Sequence, residues 1–189
     1  MKDAHPEQYS GLHPYWGLAV VAIVLWHGRY TAHTLGTDYL FSLCYLTNIV
    51  LAAGVMCRSS LLISIGFGWT VIGFPLWLID VFVTRDLIPS SLLFHTGGLF
   101  IGFHAARRTV ISRWLVLSAL PLGLFSCLLA RLFTDPQHNI NAVFRIQQGW
   151  EWCFPNFLTS YLAQVGVYLL FFICFPIVCN RFVYKGAQV

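Results

Sequence analysis

Six long apolar runs separated by short polar links make up most of the chain, at residues 14–26 (reaching on to 30), 39–57, 61–83, 91–106, 111–133 and 157–179. None of them alternates strictly between apolar and polar positions as a half-buried strand would, and most hold roughly 16 to 23 residues. At about 1.5 Å of rise per residue such a run approaches or spans a hydrocarbon core of about 30 Å when helical. The pattern predicts an all-α polytopic bundle of six transmembrane helices. Aromatic pairs sit at the ends of the first run, Tyr15 and Trp16 at one side and Trp26 and Tyr30 at the other, where amphipathic rings favour the membrane interface.

Composition removes the soluble alternatives. With 58% hydrophobic and 10% charged residues, and sixteen Phe, seven Trp and eight Tyr, a chain of 189 residues has too little polar surface to cover itself in water. The start of the chain, with Lys2, Asp3, His5, Glu7 and Gln8, is too polar for a cleaved signal sequence. No repeat or low-complexity tract divides the sequence. The expectation is one transmembrane helical domain over 1–189, with a polar N-terminal segment at 1–13, an outer-face loop at 134–156 and a tail at 180–189.

The formal charge of +4 is spread over the links, so it points to orientation and not to a nucleic-acid partner. Lys2, Arg58, Arg107, Arg108, Arg113, Arg181 and Lys185 lie on one face, and Arg29, Arg85, Arg131 and Arg145 on the other. The more basic face is expected to be cytoplasmic, with both termini; the host membrane, plasma or inner membrane against endoplasmic reticulum, is left open. The six cysteines form no C-x-x-C pair and no alternation with histidine. Neither a metal site nor a disulfide framework is expected.

Polar residues inside the apolar runs carry the candidate chemistry, because an ionisable group at membrane depth is costly and ordinarily faces a partner or a cavity. His95 lies in the fourth run, flanked by Phe94 and by Gly97 and Gly98, and Thr47-Asn48 lies about 12 Å into the second, at a similar depth. Tyr161 and Gln164 of the sixth run fall in the same outer layer, and His27 and Asp80 reach its rim. Such a layer suits acyl transfer on a lipid or fatty-acyl substrate. A hydroxyl such as that of Thr47 becomes a nucleophile when a neutral imidazole removes its proton, and Asn48 could donate to an oxyanion. Cys44, one turn before Thr47, is the alternative nucleophile. A lone membrane threonine more commonly bonds its own helix.

The run Tyr45-Leu46-Thr47-Asn48, followed two helices later by Phe94-His95-Thr96-Gly97-Gly98, resembles the androgen-induced family of six-helix intramembrane threonine hydrolases, which act on fatty acid esters of hydroxy fatty acids. The chain is also similar to their bacterial integral-membrane relatives and to a lipid acyltransferase in which cysteine replaces the threonine. The resemblance implies Thr47 as nucleophile and His95 as base, with no cofactor. In the cysteine version an acidic or amide residue follows the cysteine, whereas Tyr45 follows Cys44 here, which favours Thr47. Two other classes stay open. One is a membrane redox protein with His27 and His95 as axial ligands to haem. The other is a non-catalytic carrier or structural subunit.

Overall fold

Six helices form where six apolar runs were read. The computed structural model describes residues 13–184 except 86, 113 and 148, so the polar stretch 1–12 and with it Lys2, together with Arg113 and Lys185, lies outside the described residues. The helices are α1 (Tyr15–Thr34), α2 (Leu43–Met56), α3 (Ser60–Thr84), α4 (Pro89–Ala106), α5 (Val116–Phe133) and α6 (Phe157–Val178). There is no strand among the described residues. By length and apolarity α3, α5 and α6, the last continued by a π-helical turn to Val183, can each cross a membrane.

Two ends differ from the sequence expectation. Residues 39–42 do not join α2: Thr37–Phe41 is a 3-10 turn, and Ser42 is extended, with φ −67° and ψ 147°, at the N-cap of α2. Residues 111, 112, 114 and 115 do not join α5, and the Asn180 side chain holds Ile111 in place, accepting from its N–H at 2.8 Å and donating to its carbonyl at 2.7 Å. A side-chain amide thus does for this loop what a helix ladder would otherwise do.

The helices α1 to α4 form the most extensively packed part, and α2 against α3 is its tightest pair. Glycine makes that approach possible. A Cβ on Gly66 would lie 2.6 to 2.7 Å from the Cβ, Cα and N of Leu51, so the α2 backbone rests directly on α3. Trp69 ties α5 and α6 to this core. Its indole N–H donates to the Ala119 carbonyl at 3.0 Å, its ring sits against Gly123, and Tyr168 and Phe172 of α6 meet it edge-on, each at 4.9 Å between centroids. A buried indole needs a partner for its single donor, and the carbonyl of α5 supplies it.

The loop after α5 caps the end of the bundle at which α2 begins. Asn141 accepts from the Leu43 N–H at 2.8 Å, one of the donors left free at the start of α2, and gives its own amide hydrogens to the Phe41 carbonyl and the Ser126 hydroxyl. Its φ of 57° is a left-handed conformation that asparagine tolerates better than most residues. Nearby, Asp38 accepts from the Asp135 N–H at 2.8 Å and pairs with His138 Nδ1 at 3.0 Å.

These contacts, the backbone bond from Asp135 foremost, hold the Asp38 carboxyl below its ordinary range. A carboxylate depressed on folding stabilises the fold above its unfolded pKa, and this contribution is lost as pH falls through the folded value. Asp38→Asn is therefore expected to lower the melting temperature at about pH 6 and to make progressively less difference below about pH 4. Melting of the two proteins across that range checks it, and a difference that persists undiminished at about pH 2 would count against the role assigned to the carboxylate.

Candidate functional site

The polar side chains of the bundle are assembled by contacts between α1, α2, α3 and α4. On α2, residues 45, 48 and 52 form one helical stripe and 47, 51 and 54 another. The first faces α1 and α4: Tyr45 touches rings of both helices, and the Asn48 amide oxygen occupies the place a side chain at Gly98 would take. The second faces α3, where Leu51 meets Gly66 and Gly54 meets Ile63. Thr47 belongs to this second stripe.

Thr47 and Asn48 are both almost fully buried, and both donate to the Cys44 carbonyl, Thr47 from Oγ1 at 3.2 Å and Asn48 from Nδ2 at 3.0 Å. Back-bonding of this kind satisfies a buried hydroxyl within its own helix. His95 is also buried and stacks on Trp77 of α3, 4.7 Å between centroids and 17° from parallel. No hydrogen bond joins Thr47 to His95 among the described residues. The two helices nevertheless share a register: Tyr45 meets Phe94, and Asn48 meets Gly98. The turn carrying Thr47 therefore lies beside the turn that follows His95.

His27 sits in a denser cluster than the sequence suggested. Its Nδ1 is 3.0 Å from the Ser90 hydroxyl, and its ring stacks on Tyr45 at 5.4 Å and 4° and packs on Phe94 at 4.7 Å. The Tyr45 hydroxyl donates to Thr31 Oγ1 at 2.9 Å. Five rings thus form a continuous series, Tyr45, His27, Phe94, His95 and Trp77, drawn from all four core helices. Thr31, Ser90 and Trp77 are not among the sequence candidates, and Tyr45 enters there only through the run that carries the family resemblance. A serine directly after the helix-opening Pro89 is the one local sign that could have marked Ser90.

The remaining candidates stand apart. Asp80 is exposed on α3 and lies beside Gln147 of the loop after α5. Tyr161 is half-buried and its ring contact is with Phe157 of its own helix, while Gln164 is half-buried one turn from Tyr168. Helix α6 packs on α5 and α3, and no hydrogen bond or ring contact brings Tyr161 or Gln164 to Thr47, Asn48 or His95 among the described residues. Cys44 is half-buried and reaches this layer through its carbonyl.

A haem between His27 and His95 would need both imidazoles to face one iron across a flat slot. Here Phe94 touches both rings, Ser90 occupies one nitrogen of His27, and Tyr45 and Trp77 cover ring faces. This packing does not fit a porphyrin. No group of three or more His, Cys, Asp or Glu side chains with metal-binding geometry occurs among the described residues. No known family model matches the chain, and no similar curated protein and no similar solved structure was found.

Proposed function

We propose that the chain is a multi-pass membrane protein that cleaves or transfers the acyl group of a lipid ester, with Thr47 as nucleophile and His95 as base. The observation that supports this reading most is the seating of Asn48 on Gly98, which sets the Thr47 turn of α2 against the His95-bearing stretch of α4. Both candidate residues are buried there among other polar groups. In the reaction, Thr47 rotates from the Cys44 carbonyl and attacks the ester carbon as His95 takes its proton. His95 then returns the proton to the leaving alcohol, and water or an acceptor alcohol releases the acyl-threonine. Asn48, whose Nδ2 shares the Cys44 carbonyl with Thr47, would donate to the oxyanion.

In this reading all six helices cross the bilayer, with both termini cytoplasmic. The helices α1 and α4, at 20 and 18 residues, owe their lower apolarity to groups turned inward, His27, Ser90 and His95, while Leu18, Leu25, Phe100 and Phe103 are exposed outward. A lipid-facing surface of that kind suits a spanning helix.

Labelling of the purified protein by a fluorophosphonate, with Thr47→Ala, His95→Ala and Cys44→Ala beside it, tests the assignment. Labelling retained in Cys44→Ala and lost in the other two is the expected outcome. Equal labelling of Thr47→Ala and the unchanged protein, or none in any sample, rules out Thr47 as the nucleophile.

A further inference from the structure

A second feature of the bundle involves neither Thr47 nor His95. Between helices α4 and α6 lies a cleft of about 740 Å³, within the range of small-molecule and lipid-sized sites. Its floor is Phe67 and Val71 of α3, its walls include Leu99 and Phe103 of α4 and Phe175 of α6, and the π-helical turn Cys179–Val183 closes one end. Thr96 is the one hydroxyl on its lining, and it already donates to the Leu92 carbonyl at 2.6 Å. Nothing in this cleft asks for a polar ligand.

Its closed end is different. The Arg107 guanidinium carbon stands 6.0 Å from the centre of the Phe103 ring, which forms part of the wall. Arg181 is exposed in the very turn whose Cys179 and Val183 close the cleft. The Asn180 amide pins the link after α4 to this turn, so both arginines are carried by one tied-down structure. The Arg181 guanidinium lies over the Phe182 ring at 5.5 Å, next to Val183 of that lining. An apolar channel between helices with a guanidinium group on each side of one end has the form of an amphiphile with an anionic head.

We propose that the cleft between α4 and α6 binds an acyl chain of an anionic phospholipid, with its phosphate at Arg107 and Arg181. The cleft runs beside α3 and α6, two helices long and apolar enough to cross a membrane, so its natural filling is hydrocarbon and not water. The guanidinium groups select the head, and the rings of Phe67, Phe103 and Phe175 hold the chain. Bound there, the lipid supplies the packing between α4 and α6 that these helices do not give each other directly.

Native mass spectrometry of the purified protein, offered equal amounts of phosphatidylglycerol and phosphatidylcholine, tests the proposal. The expected result is severalfold preferential retention of phosphatidylglycerol. Arg107→Gln with Arg181→Gln should remove the preference while leaving some lipid bound. Cys174→Trp, at an exposed position on the cleft wall, should reduce retention of both lipids, and Leu99→Trp serves if that variant does not fold. Equal retention of the two lipids by the unchanged protein overturns the assignment of the head, and undiminished retention by a folded cleft-filling variant overturns the assignment of the cleft.

Discussion

Gly66→Leu is expected to prevent recovery of a folded protein, and Gly66→Ala to destabilise it by about 2 kcal/mol, near the middle of the range for overpacked cores. The reason is what the new side chain would meet. The nearest atoms to a Cβ at Gly66 are the Cβ, Cα and N of Leu51, at 2.6 to 2.7 Å. A flexible side chain could swing aside, but two of these three atoms are helix backbone, and moving them means moving α2. Because α2 carries both Thr47 and Tyr45, such a shift also breaks the contacts of Tyr45 with His27 and Phe94.

Gly73 supplies the control. It lies in the same helix, and a Cβ there meets nothing within 4 Å. Gly73→Ala should then be neutral or stabilise by up to about 1 kcal/mol, since alanine loses less backbone entropy in a helix. Detergent-unfolding midpoints of the two alanine variants decide the matter. A Gly66→Ala midpoint equal to that of Gly73→Ala would mean that the two helices do not meet as described.

That contrast shows where sequence reasoning stops. Apolar runs bounded by arginine, proline and serine located six helices, because both the length and the content of a run are local properties. The rotation of each helix is not local. Beside His95 in α4, the neighbour at Gly98 is the Asn48 side chain. The sequence could not reveal that Thr47, one residue away, lies on the stripe whose Leu51 and Gly54 meet α3. Likewise the outer-layer grouping placed Tyr161 and Gln164 by depth alone, and depth says nothing about which helix stands between. The 3-10 turn at Thr37–Phe41 and the loop at Ile111 were misread for a related reason: each is held by a distant asparagine, Asn141 and Asn180 respectively.

Phe94→Ala is expected to cost about 3 kcal/mol, at the low end of the range for truncating a buried phenylalanine. Phe94 is 1% exposed and is the middle member of the ring series, touching His27, Tyr45 and His95. In water the loss would include the transfer of a large apolar side chain from solvent. If α4 crosses a bilayer as proposed, the unfolded helix keeps that side chain in lipid, so the transfer contribution largely cancels and the lost dispersion contacts and the cavity remain. The cavity is the more serious part, because its rim holds polar groups, the His27–Ser90 and Tyr45–Thr31 pairs. Water entering there would compete for those bonds. Phe94→Leu, which fills much of the same space, should cost about 1 kcal/mol. Unfolding midpoints in mixed micelles, read by near-ultraviolet circular dichroism, separate the two cases: a threefold difference between the variants is expected, and equal small losses would show that the ring series does not hold the core helices together.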